Sequence, residues 1–402
     1  MRDLIVIGGG VTGCAVARDA ALRGLDVMLV EQGELGAGTS GRFHGMLQSG
    51  ARYVATDPAY AAQCMREREI LERTAAHLRV DTGGLFVQLP DDPPAFAERF
   101  PEACARAGIP CRPLTAAEVA AREPALAPVV RGFAVPDAVF KPWAMVPALA
   151  EDAAAHGADV RTGVRATGIR DDGRACEVEL AARDGGRGER HAARAVVIAA
   201  GPWSGRLAAL AGHDVPLALA KGAMLVIEGA LVDAVVNRCR PPQSFDIIVP
   251  FGVVSVFGTT TRAVDDPAAS GVDRDEHAEL LAGARALVPG LDAAHPVSAY
   301  AGVRPLAVTE PGRDGAVSRR HVVVAGDGAA VWTVVGGSFT SHRAMAEDVV
   351  DRVCTRLGSA AECVTDTRRL PAPDGRFAWS RDAGLRPDVF RETTAHGAVA
   401  RP

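Results

Sequence analysis

An α/β class, with a helix-covered parallel sheet and a second, mixed sheet set into it, is predicted by three observations. Apolar runs of strand length alternate with helical periods near the start of the chain and again near residue 340. A glycine-punctuated turn joins the first strand to the first helix, and from Val215 to Ala301 the pattern changes to closely spaced strands. With 402 residues, 48% of them hydrophobic, the chain is long enough for two domains or one two-part enzyme.

The first element, Asp3–Ile7, is an apolar run of strand length. Gly8, Gly10 and Gly13 follow as G-x-G-x-x-G, with Val11 and Thr12 inside the motif, and lead into a helical pattern through Val16, Ala20 and Ala21. Gly24 marks the helix end, and LDVMLV makes a second strand closing on Glu31 and Gln32. A glycine triplet alone is weak, but strand, helix, second strand and terminal acid at this spacing make a Rossmann-like dinucleotide site. Gly8 makes the tight turn, Gly10 lets a pyrophosphate approach the backbone, and Gly13 lets the helix pack on the strand. Glu31 is expected to take ribose hydroxyls, and its charge disfavours a 2′-phosphate.

Two later segments favour a flavin dinucleotide over a nicotinamide one. ARAVVIAAGPWSGRLA (Ala193–Ala208) is a strand ending at Ala200, Gly201 and Trp203, a second close backbone approach. WTVVGGSFTSHRAMAEDVV, starting at Trp332, runs from strand through Gly336 and Gly337 and the turn Ser338, Phe339, Thr340 into a helix. A helix N-terminus there points N–H groups at an anion, and its dipole stabilises a reduced flavin. FAD is long enough to need three such contacts. Val164, in the segment returning to the nucleotide fold, is a candidate contact to adenine.

The other elements follow in order. Thr39–Val54 is rich in Gly and Ser and carries Thr39, Ser40, Arg42, His44, Gly45, Gln48 and Arg52; it reads as a loop towards the reactive ring. Pro58–Val80 has helical periodicity, GLFVQL is a strand, and two further helices follow, the second opening with the capping-box pattern Thr115-x-x-Glu118. A long helix from Pro142 turns into strands, and a hairpin with the turn RDGGRG precedes Ala193. Strands with one interrupting helix then build the mixed sheet, and RHVVVAGDG and AAVWTVVGG return to the first domain. The expected boundaries are 1–80, 142–212 and 318–360 for a discontinuous FAD-binding domain, 81–141 and 213–317 for the substrate side, and 361–402 for a docked or partly disordered tail.

Composition sets limits on partners. A net charge of −5 argues against nucleic acid, and no run of about 18 apolar residues exists, so no transmembrane helix is expected. The N-terminus does not read as a signal peptide. The eight cysteines form no C-x-x-C pair, so no metal site is signalled, and reduced thiols in a cytoplasmic protein are the simplest reading.

DLIVIGGGVTG, GTSGRFHGMLQSGARYV, DTGGLFVQLPDD, NRCRPP, GTTTR, YAGVRPL and the late GG-turn-helix stand in the order found in FAD-dependent glycerol-3-phosphate dehydrogenases. Over roughly residues 1–360 the chain resembles that family, above all the catalytic subunit of the anaerobic type. The resemblance implies a D-amino-acid-oxidase-like architecture. It also implies oxidation of a secondary alcohol beside a phosphorylated carbon, with the electrons passed onwards. Four positions depart from the family pattern: Ser338 replaces a lysine, His342 a tyrosine, Gln48 a histidine, and Lys141 an aspartate.

Hydride transfer needs an anion clamp, a base for the alcohol proton, and the carbon held against the ring. Arg304 matches the family's substrate-facing arginine, and its planar fork suits a phosphate or phosphonate. Arg52 is a second clamp candidate, Lys221 stands at a position the family shares, and Lys141, Gln48 and Ser338 join the expected substrate side. For the base, His44 matches a family position, and His342 is a departure expected one turn into the late helix; histidine titrates near neutrality. The expected activity is FAD-dependent oxidation of a small hydroxylated phosphate or phosphonate to a ketone or aldehyde. The rivals are a 2-hydroxy acid or amino acid oxidoreductase and a non-catalytic electron-transfer flavoprotein. The family's usual C-terminal extension is missing, so the electron acceptor is expected to be oxygen, a quinone or a partner protein.

Overall fold

A computed structural model describes residues 1–182, 188–291, 296–308, 317–326 and 330–387. Most of the RDGGRG turn and the last part of the expected tail, 388–402, lie outside them. The class is α/β, with the parallel and mixed sheets expected.

The first strand, Arg2–Ile7, lies between Val27–Glu31 and Glu189–Ile198, parallel to both. Asp159–Thr162 extends the sheet on one side and Val331–Val335 on the other, again in parallel. Cys176–Ala182 runs antiparallel to the first half of Glu189–Ile198, Val164–Asp171 pairs beyond it, and Val322–Ala325 pairs with Val331–Val335. The stretches Leu4–Ile7, Val27–Val30 and Ala195–Ile198 are apolar without alternation because both faces are covered. Leu4, Val6, Leu29 and Val197 pack towards helices Val11–Leu22, Pro142–Ala155 and His342–Leu357. Ile5, Ile7, Met28 and Ile198 pack with Val178 and Leu180 of the hairpin and Ala208 of helix Ser204–Leu210.

The second sheet has ten strands among the described residues, and its longest pair, Leu217–Glu228 with Pro296–Val308, stands near one edge. Val254–Gly258, Ile247–Phe251, Val235–Arg238, Gly84–Gln88, Arg131–Val135 and Arg112–Thr115 follow outward, with only the Val235–Arg238 to Gly84–Gln88 junction parallel among them. Alternation separates its faces. Ala223, Leu225 and Ala301 pack with Leu280, Ala284 and Leu287 of helix Arg274–Leu287, whereas Met224, Val226 and Tyr300 face the other way. The Thr115 capping box forms: Thr115 Oγ1 accepts from Glu118 N–H at 3.2 Å, and Glu118 Oε2 accepts from Thr115 N–H at 2.8 Å.

The helical segment at Pro58 is shorter than its periodicity suggested. It ends at Thr74, and Arg79–Val80 is already a strand. Beyond residue 360 the chain carries little regular structure but follows the first sheet's helical layer: Leu370 N–H donates to Thr74 O at 2.8 Å, and Ser380 N–H to Leu35 O at 3.0 Å. No helix of the described residues is long and apolar enough to cross a membrane.

Candidate active site

A cavity of about 1720 Å³ runs between the two sheets. It exceeds the roughly 300–1,000 Å³ of an ordinary small-molecule site, leaving room for a dinucleotide and a substrate together. One half of its wall is backbone. Gly8 and Gly10 with Val11 and Thr12, Ala200 with Gly201 and Trp203, and Gly336 to Thr340 all line it, although they come from three distant parts of the sequence. Gly8 has φ +117°, and a Cβ there would stand 2.6 Å from Ala199 O. At Gly13 a Cβ would stand 1.8 Å from Gly8 O, so helix and strand meet closely only without a side chain.

Glu31 ends the second strand and faces the cavity beside Gln32. Its two oxygens accept from Gly9 N–H at 2.6 Å and Gly33 N–H at 2.8 Å, which fixes the carboxylate; burial raises its pKa while those N–H groups oppose the rise. Ser40 Oγ accepts from Val11 N–H at 3.0 Å, so the loop after this strand caps the first helix. Thr39, Arg42 and Val164 line the same half. At the late turn, Ser338 N–H is taken by Ser341 Oγ at 3.0 Å, while the Phe339 and Thr340 N–H groups meet no protein acceptor among the described residues. Glycine-cradled backbone, free N–H groups and a fixed acid are what a dinucleotide requires, and these residues fit FAD.

The other half of the wall is side-chain charge. His44, Gln48, Arg52, Arg304 and Arg319 line it together. Arg304 Nη2 donates to Thr260 O at 2.8 Å and Thr261 Oγ1 at 3.2 Å, and among the described residues its guanidinium meets no carboxylate. Burial, then Arg319, lowers its pKa to about 10. Arg52 shares the buried Asp246 with Arg240, at 2.9 and 2.8 Å. Arg240 also reaches Asp92 at 3.6 Å, so Arg52 belongs to a paired network, whereas Arg304 meets no carboxylate among the described residues. Burial, then Arg52, Arg304 and Arg319, pushes the His44 pKa down to about 3, and its enclosed Nδ1 has no partner. The imidazole is neutral at physiological pH and can accept a proton.

Five residues singled out from the sequence do not line the cavity. Lys221 lies on the opposite face of its strand from Arg304. Ala220 pairs with Arg304 and Lys221 with Val303, so the two side chains have opposite parity. Lys221 Nζ instead donates to the buried Glu276 at 2.6 Å. Lys141 precedes helix Pro142–Ala155, away from the cavity. His342 is the first residue of the late helix rather than one turn into it, and its ring is buried beside Arg18, Leu71 and Met145. Its Nδ1 donates to Phe339 O at 2.7 Å, and burial lowers its pKa to about 4. Gly45, with φ +71°, lies under Phe251, where a Cβ would come within 2.1 Å. Gly13 acts through packing, as above.

Two contributors escaped the sequence reading. Arg319 sits in the doublet before Val322–Ala325 and carries no periodic signal. Ser380, Arg381 and Asp382 line the cavity from the segment read as tail. A cationic doublet next to a strand that returns to the nucleotide sheet was the available cue for Arg319.

The family described as FAD dependent oxidoreductase matches residues 3–352. An anaerobic glycerol-3-phosphate dehydrogenase subunit of Haloferax volcanii is 38% identical over 417 residues, covering 97% of this chain and 70% of the relative. The anaerobic glycerol-3-phosphate dehydrogenase subunit of Escherichia coli is 37% identical over 378 residues, covering 92% of this chain and 70% of its own length. Among solved structures, the glycerol-3-phosphate dehydrogenase from Bacillus halodurans complexed with FAD superposes with a TM-score of 0.72 at 24% identity, covering 92% of this chain and 68% of that one. Glycine oxidase from Geobacillus kaustophilus superposes with 0.74 at 23%, covering 92% and 98%; at such identities the likeness shows the fold. The chain belongs to the FAD dependent oxidoreductase family, in its D-amino-acid-oxidase-like fold, and FAD is its cofactor.

Proposed function

We propose that this chain oxidises the hydroxylated carbon of a small phosphorylated or phosphonate alcohol, of the glycerol-3-phosphate kind, to a ketone or aldehyde. The observation that carries the reading is the pair Arg304 and Arg319, beside His44, without a carboxylate partner among the described residues. An anion of two charges compensates such a site best. The relatives at 37–38% identity, named as anaerobic glycerol-3-phosphate dehydrogenases, support the same substrate class.

FAD supplies the acceptor for the hydride that leaves the carbinol carbon. The chain's own residues do the rest. Arg304 and Arg319 bind the anion and Arg52 flanks it, which orients the carbinol towards His44. Neutral His44 takes the hydroxyl proton as the C–H electron pair departs, leaving a carbonyl. Burial holds the histidine's pKa down first and the three arginines second, and an anionic substrate offsets the arginine part. Ser338 and Gln48 border the site without adding charge.

A carboxylate would also fit the Arg304 fork, which keeps a 2-hydroxy acid or amino acid as the second reading. An anaerobic spectral titration of the yellow protein separates the two. Bleaching of the flavin band by glycerol 3-phosphate or a hydroxyalkyl phosphonate is the expected outcome. Bleaching only by 2-hydroxy or amino acids overturns the phosphate reading, and a flavin that no donor reduces overturns catalysis. Mixing the reduced protein with oxygen, then with a soluble quinone, identifies the acceptor class.

A further inference from the structure

We propose that residues 377–385 form a strap that buckles the 34–42 loop onto the FAD site and sets how slowly the cofactor leaves. The inference rests on the FAD assignment and goes beyond it, to a segment outside the family match at 3–352.

The loop is part of the cofactor wall. Glu34, Thr39, Ser40 and Arg42 line the cavity, and Ser40 caps the first helix. The loop has a short turn of its own at Thr39–Gly41 and is tied inward by Gly36 N–H to Gly9 O at 3.0 Å and by Thr39 Oγ1 to Val303 O at 2.5 Å, so its outer face is what the strap has to hold. The strap holds it along its whole length. Leu35 and Trp379 form a parallel bridge, and Ser380 N–H donates to Leu35 O at 3.0 Å. Arg381 N–H donates to Glu34 Oε2 at 2.9 Å, Arg42 Nη2 to Asp382 O at 2.7 Å, and Leu385 N–H to Gly41 O at 3.0 Å.

The loop's glycines are cut to receive it. A Cβ on Gly36 would stand 2.2 Å from the Trp379 ring, and one on Gly41 2.7 Å from Ala383 Cβ. Trp379 Nε1 donates to Leu385 O at 2.8 Å, so the strap closes on itself around the indole. Both ends are tied elsewhere. Phe377 N–H donates to Glu151 at 3.3 Å, and a Cβ on Gly384 would stand 2.2 Å from Tyr300 of the second sheet. The strap therefore spans from the first helical layer to the second sheet across the loop, and the loop cannot swing outward unless the strap lifts.

The test is FAD retention, read by the fluorescence of released flavin. Trp379→Ala removes the buckle, and Ala383→Leu blocks its seat against Gly41 from the strap's own side. Each is expected to speed FAD release at least tenfold, and the double variant to be no faster than the quicker single one, because both break one contact. Release within twofold of wild type in both variants overturns the strap. Should a variant fail to fold, trypsin on the unaltered protein decides. Cleavage after Arg376 and Arg381 is expected to slow at least tenfold when FAD is added, and equal rates with and without FAD overturn the proposal. Wild type that takes up no FAD would sink the cofactor assignment itself, an outcome distinct from either.

Discussion

The two halves of the cavity are built from different materials. Around Gly8, Ala200 and Gly336 the wall is main chain, placed by glycines and strand ends. Around His44 and Arg304 it is side chain, Arg304 placed by the parity of the second sheet and His44 by the loop after Thr39–Gly41. The backbone half recognises what all members of such a family share, a dinucleotide. On the function proposed above, the side-chain half takes what can vary, the substrate, and it can change by single substitutions without disturbing the fold. Gln48 lies in that variable half, and Ser338 belongs to the late turn of the backbone half.

Breaking the backbone half should have the largest effect. In Gly13→Val a Cβ would fall 1.8 Å from Gly8 O, so strand and helix must part. The expected cost is about 3 kcal/mol or more, and the purified protein should carry roughly a tenth of the normal flavin or less. Full flavin content in this variant would show that the turn is softer than its geometry. Lys221→Met sharpens the comparison by parity. It leaves the buried Glu276 without its closest cation, with an expected loss of roughly 3 kcal/mol in urea unfolding, while KM stays as it was. A raised KM would place Lys221 on the substrate side after all.

Arg304→Met is the counterpart, expected to lower kcat/KM roughly 10- to 150-fold, from the 1.5–3 kcal/mol of a charge-assisted hydrogen bond, with little change in stability. Unaltered kcat/KM would remove Arg304 from the clamp. Acid then tests the buried histidine. His342 has a pKa near 4 in the fold against an ordinary 6.5, so between those values the unfolded chain binds a proton that the folded chain refuses. Its contribution is fully present above pH 6.5 and is lost as pH falls through that window, by up to about 1.4 kcal/mol per pH unit. The stability difference between wild type and His342→Gln should shrink from pH 7 to pH 4.5, and a constant difference would contradict the shift. The smallest effect is expected of Ser338→Lys. A half-exposed cation at the late turn should raise the flavin potential by about 5–20 mV, the equivalent of roughly 0.2–1 kcal/mol for two electrons. A dye-linked redox titration that finds no rise would show that position 338 does not sense the flavin.

The backbone half was legible in the sequence because its signals are local: glycine spacing, a terminal acid, an apolar run entering a helix. Gly8 to Gly13 and Glu31 lie within one unit of strand, helix and strand, so short-range chemistry fixes them. The side-chain half depends on which strand faces are brought together. Arg304 and His44 were found through motifs, but Lys221 was assigned to the same site although register puts it on the reverse face. That parity was not recoverable until Ala220 was known to pair with Arg304. His342 was misplaced by one turn because the helix starts directly after Ser341. The 377–385 segment has no periodicity at all, since its order comes from contacts with a loop more than 300 residues earlier.

The pairing of the first sheet also sets a timetable. Leu4 gains one neighbour at Val27 and the other only at Ala195, and Val197 in turn waits for Trp332. Parallel pairing across such separations is slow, and a chain leaving the ribosome carries apolar strand edges for most of its synthesis. A product stopped before residue 331 would keep one of those edges bare, so incomplete chains are marked for aggregation or degradation by their topology alone.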